Sequence, residues 1–259
     1  PNWVPIPGRA RYKKAIETID TVLFDIIARR QKTEGEVVDL LTLLIHAKDE
    51  TTGEGMSDIQ LRDEAMTMFL TGYETTAGAL SWAFYFLSQN PEKMATLERE
   101  INDVLGDRTP TFEDLTKLTY TRMVIQEATR LSPPVWWLAR TAKEDDEIDG
   151  FHIPAGKTVA PIPYVIHRHP DFWEAPEKFE PERFTKARAA NRHKLAWLPF
   201  GAGQRQCIGR DVSIMEGQWI LARALQMYKI TAISGQTTQP RPSATLKSSH
   251  GVVLNLEKR

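Results

Sequence analysis

The stretch Phe200-Gly-Ala-Gly-Gln-Arg-Gln-Cys-Ile-Gly209 carries the only cysteine among 259 residues. A lone Cys cannot staple the chain to itself, so Cys207 is either a small buried hydrophobe or a ligand or nucleophile. Its neighbours favour the second. Gly201, Gly203 and Gly209 permit close backbone approach, and Arg205 fixes a positive charge two residues away. A helical run from Ile208 to Met227 follows and places Cys207 at a helix N-terminus, where exposed amides and the helix dipole favour an anionic sulfur. A thiolate in a glycine-lined loop is what a soft metal centre takes from a protein.

Upstream of the loop, Arg168 to Phe200 shows little periodicity and several prolines and aromatics; irregular segments this long in a compact domain usually serve a site. Earlier, Glu147-Ile-Asp-Gly-Phe-His-Ile153 reads as a hairpin around Asp149-Gly150, with a further strand expected over Thr158–Ile162. Tyr120–Leu131 reads as a helix carrying Glu127 and Arg130 on one face, a spacing that by itself suits an ordinary surface ion pair. The clearest start signal is at Ser57, with Gln60 completing a capping box and Met56 and Leu61 a hydrophobic staple. The helix it opens meets no breaker except Gly72 and Gly78 until Pro91, and is apolar almost all round from Met66 to Leu87. Within it, Thr71-Gly-Tyr-Glu-Thr-Thr76 is a poor helix-forming patch with an acid in apolar surroundings. It is either a tolerated imperfection or a loosened turn presenting Glu74 and an alcohol to a buried site. Asn90 as N-cap and Pro91 at the first helical position begin another helix that closes at Gly106. Helices are also expected from Arg9 and over Val37–Ala47, after an extended, proline-rich opening. Beyond Met227, strands are expected over Lys229–Ala232 and Val252–Leu256.

Composition is that of a globular protein, 41% hydrophobic and 26% charged with a formal net charge of −1. Near-neutral charge gives no reason to expect nucleic acid or an anionic membrane surface as partner. A single cysteine excludes an internal disulfide framework and suits a reducing, cytoplasmic compartment. Pro1 opens the chain mid-phrase, so preceding sequence is expected, and a membrane anchor is not visible here.

Together these features resemble the cytochrome P-450 haem-thiolate monooxygenases. Phe200-x-x-Gly203-x-Arg205-x-Cys207-x-Gly209 resembles that family's cysteine-ligand loop at each of five defined positions. Glu127-x-x-Arg130 is similar to its Glu-x-x-Arg helix, Pro181-Glu182-Arg183-Phe184 to its meander, and Gly72-Tyr73-Glu74-Thr75-Thr76 to the oxygen-activating patch of its long central helix. The order also agrees. One position departs: Thr71 stands where the family usually has Ala or Gly, a larger and more polar side chain beside the groove.

The resemblance implies a mainly α fold with small β-sheets, the family fold without its N-terminal portion. Residues 1–259 would be the C-terminal part of a single domain, with the central helix at 57–89, the Glu-x-x-Arg helix at 119–131, the meander at 168–199 and the cysteine loop at 200–209. It implies haem b (iron protoporphyrin IX) with Cys207 as axial iron ligand, Gly209 and Gly203 shaping the loop, and Phe200 packed near the sulfur. Arg140 and Arg205 would pair with the haem propionates. Gly72 would open the helix for dioxygen, Thr75 would hydrogen-bond the activated oxygen, and Glu74 would relay protons. Glu127, Arg130 and Arg183 would form a buried structural triad, and Trp136, Trp137 and Leu138 could line the substrate pocket. The implied reaction inserts one atom of dioxygen into a small hydrophobic substrate, with electrons from a separate ferredoxin or flavin reductase. Alternatives are a peroxygenase or isomerase of the same fold, or a truncated, non-catalytic haem-binding fragment.

Overall fold

The computed structural model describes residues 7–32 and 39–259. Residues 1–6 of the proline-rich opening, and Val37 and Val38 of the second expected helix, lie outside these. The chain divides into two compact units, Pro1–Tyr73 and Glu74–Arg259, with the boundary inside one helix.

The first unit holds α1 (Arg9–Gln31), α2 (Leu40–His46) and the opening turns of α3 (Asp58–Gln89). Local chemistry explains the helix starts. Asp39 accepts from the backbone N–H of Thr42 at 2.9 Å, satisfying one of the amides a helix N-terminus leaves unpaired. At α3, Gln60 Oε1 accepts from Ser57 N–H at 2.9 Å and Ser57 Oγ accepts from Gln60 N–H at 3.3 Å, a closed capping box. Among the described residues of this unit, Ile27 and Leu61 are the buried apolar ones.

The second unit contains the rest of α3, then α4 (Pro91–Leu105) and α5 (Thr119–Leu131). Short strands follow, β1 (Arg140–Thr141), β2 (Asp146–Ile148), β3 (Phe151–Ile153) and β4 (Thr158–Val159), then α6 (Pro163–Ile166) and α7 (Lys186–Ala189). The chain ends with α8 (Arg210–Met227) and strands β5 (Tyr228–Ala232), β6 (Pro240–Pro242), β7 (Leu246–Ser248) and β8 (Leu254–Lys258). The strands form antiparallel pairs only: β1 with β4, β2 with β3, β5 with β8 and β6 with β7. Asp149 (φ 52°) and Gly150 (φ 80°) turn the β2–β3 hairpin in the left-handed region that two-residue hairpin loops demand.

The core lies among α3, α4, α5 and α8. Met94, Leu97, Ile101 and Leu105 form a stripe at helical spacing, buried with Val124, Ala128, Leu221 and Leu225. Gly217 lets α8 approach α5: a Cβ there would stand 2.8 Å from Cδ1 of Ile125. α5 has no N-cap side chain of its own. Glu100 of α4 replaces it, accepting from the N–H groups of Tyr120 and Thr121 at 2.6 and 2.8 Å.

Two expectations need correction, and one open alternative is narrowed. Asn90 does not cap the helix it precedes; its Nδ2 donates to Phe86 O at 2.7 Å, because the end of α3 offers unpaired carbonyls. The strand expected to reach Ile162 stops at Val159, which pairs with Arg140, the first residue of β1. The Thr71–Thr76 patch does not interrupt α3. Thr71 bonds back to Thr67 O at 2.8 Å, which spends its hydroxyl inside the helix.

Candidate functional site

The cysteine loop folds by its own glycines. Gly201 (φ 69°) and Gly203 (φ 70°) occupy left-handed backbone that an L side chain adopts only with strain. The chain thus turns back on itself, and Cys207 N–H donates to Phe200 O at 2.9 Å. Gly209 is different: its φ is −82°, and a Cβ there would sit 3.8 Å from the sulfur, an ordinary contact. Two of the three glycines are therefore required by conformation. α8 begins at Arg210 with Gly209 at its N-cap, so Cys207 lies just outside the helix rather than on its first turn. Its thiol side chain is exposed.

Two guanidinium groups share this exposed setting. Arg205 ends the 3-10 turn Gly203–Arg205, and Arg140 opens β1. Neither has a carboxylate partner among the described residues; Arg140 Nη1 donates only to Ala139 O, at 2.8 Å. Leu138 reaches toward Gly201, its Cδ1 being 4.0 Å from where a Cβ would stand. Trp136 donates from its indole N–H to Ser243 O at 2.9 Å, which ties it to the β6–β7 turn, while Trp137 is exposed.

The C-terminal half of α5 carries a buried ion cluster. Arg130 and Glu127 have 0% exposure and meet in a two-pronged pair, Nε to Oε2 at 2.7 Å and Nη2 to Oε1 at 2.9 Å. Arg183 also faces Glu127, at 3.4 Å without a hydrogen bond from its Nε. Its Nη2 donates instead to Ala175 O at 2.9 Å and stands 3.2 Å from Glu180. Glu180 N–H completes the set by donating to Glu127 at 2.8 Å. Burial pushes the Glu127 carboxyl up, against the pull of Arg130, Glu180 N–H and Arg183. Arg130 Nη1 and Nη2 further donate to His167 O and Lys178 O. The cluster thus fastens α5 to the irregular segment leading to the cysteine.

Sequence reasoning missed the aromatic part of that fastening. Trp197 donates its indole N–H to Gln126 O at 3.2 Å and packs edge-on against Phe200 with ring centroids 5.9 Å apart. Trp173, buried, donates to Ala196 O at 3.2 Å and carries Arg192 over its ring at 4.1 Å. The density of tryptophan before the loop was the available signal.

On α3, Glu74 is half-buried and doubly held. Its Oε1 accepts from Thr245 Oγ1 at 2.7 Å and lies 2.8 Å from Lys247 Nζ, both beside or on β7. Lys247 and then Thr245 keep the Glu74 carboxyl below its usual range. These partners lie about 170 residues away in sequence, and no local pattern announces them. Thr76, next but one, meets Ser213 of α8 at 3.2 Å. Thr75 is half-buried on the same turn as Glu74. Gly72 is exposed in the first unit, with no atom within 4 Å of where a Cβ would stand. A cavity of about 260 Å³ opens between α3 and the β6–β7 hairpin, walled by Ala77, Trp82, Pro134 and Leu246 with Glu74 and Lys247 at its edge. Among the described residues, no cluster of three His, Cys, Asp or Glu side chains could hold a metal ion by itself. No described helix is long and apolar enough to cross a membrane.

Comparison with known proteins gives the family of the chain. The chain is 36% identical over 234 residues to cyclooctat-9-en-7-ol 5-monooxygenase of Streptomyces melanosporofaciens, covering 90% of this chain and 51% of that protein. It is 34% identical over 273 residues to cytochrome P450 4V2 of Homo sapiens, covering 96% and 51%. The heme domain of cytochrome P450DA superposes with a TM-score of 0.91 at 31% identity, over 96% of this chain and 56% of that one. The chain spans about half the length of these relatives. A model of the family described as cytochrome P450 matches residues 2–256, and the chain belongs to that family.

Proposed function

We propose that this chain supplies the proximal ligand, the anchoring arginines and the proton-relay residues of a haem-thiolate monooxygenase. The observation that carries the reading is the exposed Cys207 thiol on a loop shaped by left-handed glycines, tied through the preceding segment to a buried ion cluster, in a chain whose exposed Arg140 and Arg205 have no carboxylate partner among the described residues. That donor set fits haem b: one soft sulfur for iron and two planar cations for propionates. The relative named as a monooxygenase supports the same reaction class.

When bound, haem supplies dioxygen activation at its iron, driven by electron density from the thiolate. The chain's residues do the rest. Cys207 would hold the metal, and Phe200, packed edge-on against Trp197, would help screen the sulfur from water once haem is bound. Arg140 and Arg205 orient the macrocycle through charge-assisted hydrogen bonds. Thr75 would offer its hydroxyl as a hydrogen-bond donor where dioxygen is activated. Glu74, anionic and partly exposed, passes protons inward from solvent; Thr245 and Lys247 set its rotamer. The apolar cavity walls suit one end of a small hydrophobic substrate. One oxygen atom enters the substrate and the other leaves as water, consuming two protons and two electrons. The electrons arrive singly from a separate ferredoxin or flavin reductase.

Thr75→Ala in the haem-loaded protein tests the distal assignment. Electron consumption should continue while product per electron pair falls about tenfold or more. Unchanged coupling would contradict the role given to Thr75.

A further inference from the structure

His167 enters the site described above only through its backbone carbonyl, yet its side chain is completely buried and both ring nitrogens are engaged. Nε2 lies 2.8 Å from Leu198 N and Nδ1 lies 3.1 Å from Arg130 O. A backbone amide can only donate, so Nε2 must accept, and the proton resides on Nδ1, which donates to the carbonyl. The ring is therefore neutral, in one tautomer. Burial drives its pKa down to about 3, with Arg130 and Arg168 adding to the effect and the Arg130 carbonyl opposing it.

The two ends of this bridge matter more than the ring itself. One end is the last turn of α5, whose Arg130 side chain is locked in the buried ion cluster and also donates to His167 O at 2.8 Å. The other is the footing of the cysteine loop, where three successive residues are pinned from three directions. Ala196 O receives the Trp173 indole N–H, Trp197 donates to Gln126 O, and Leu198 N–H donates to His167. Of these pins, only the His167 bond fixes the backbone amide that enters the loop. Leu198 O then accepts from Gly201 N–H at 3.3 Å, and Phe200 O accepts from Cys207 N–H at 2.9 Å. An unbroken series of hydrogen bonds and short chain segments thus runs from the ion cluster to the cysteine.

We propose that His167 is a positioning residue for the Cys207 loop, holding the Leu198 amide so that the sulfur is presented to iron at a fixed height. This rests on the haem-thiolate reading of Cys207. It predicts that the acceptor facing Leu198 is what counts. His167→Gln can place an amide oxygen near the site of Nε2, whereas His167→Asn can replace only the donor near Nδ1.

The test compares wild type, His167→Gln, His167→Asn and the core control Leu97→Ala on α4. The first readout needs no haem: amide hydrogen exchange at Leu198 should be about tenfold faster in the Asn variant than in wild type, and near wild type in the Gln variant. The second is the carbon-monoxide spectrum of the reduced, haem-loaded proteins. The Asn variant should lose most of the red-shifted thiolate-type band, with the Gln variant and Leu97→Ala retaining it. Wild-type exchange and an intact band in the Asn variant would overturn the proposal. So would loss of the band in every variant, Leu97→Ala included, in proportion to lost stability. A wild-type protein that binds haem without that band would instead remove the ligation reading on which the proposal depends.

Discussion

Glu127 is the residue on which the stability of the site turns. It shares a buried volume with Arg130 and Arg183 and has no access to water. Neutralising it by Glu127→Gln leaves guanidinium charge buried with one partner fewer, which should cost about 3–5 kcal/mol in a urea unfolding experiment. A loss below about 1 kcal/mol would mark the pair as an ordinary surface one. From sequence alone, the spacing of Glu127 and Arg130 suits that surface pair. The burial comes from Glu180, Arg183 and Trp173, some fifty residues on, which cover the α5 face only in the folded chain. Only the likeness of the paired motifs to a known family anticipated it. Lys247 and Thr245 on Glu74 mark the limit at this scale, since an ion pair between distant segments has no local signature.

Among the elements, α5 and α8 meet closely at Gly217. Gly217→Ala would drive a methyl group to 2.8 Å from Ile125 Cδ1. The expected cost is about 1–3 kcal/mol, and Ile125→Val, which removes the offending carbon, should recover part of it in a double-mutant cycle. Strict additivity would show that the two residues do not meet. Elements were legible where their signals are local. Ser57 and Gln60 close their capping box, Asp149-Gly150 turns its hairpin, and Gly106 (φ 54°) ends α4. They were less so where a partner from elsewhere does the work. Glu100 caps α5 from α4, and Asn90 turns its amide back onto α3. The Thr71–Thr76 patch shows the reverse case, residues poor in helix propensity held helical within a long element.

At the scale of the molecule, acid should loosen the second unit earlier than carboxylate titration alone would. An exposed histidine takes up its proton near pH 6.5, whereas folded His167 does so only near about 3. Between those values the unfolded chain binds the extra proton, so stability falls as pH falls, by up to about 1.4 kcal/mol per pH unit. Glu180 and Glu182, whose carboxyls are held below their usual range, add to the loss at lower pH. Unfolding midpoints from pH 7.5 to 4.5 check this. A flat profile down to pH 5 in the wild type would contradict the buried neutral ring. The fold class was legible because four motifs appear in order, each tied to a structural demand. The division into two compact units was not, since the boundary lies inside α3, which stays helical through it.

The account depends most on Cys207 as an iron ligand. The direct measurement is the carbon-monoxide spectrum of the reduced, haem-loaded protein, taken for wild type and Cys207→Ala side by side. The red-shifted Soret band of a thiolate ligand should appear in the wild type and vanish in the variant. The same band in both proteins, or its absence from a haem-loaded wild type, would contradict the account.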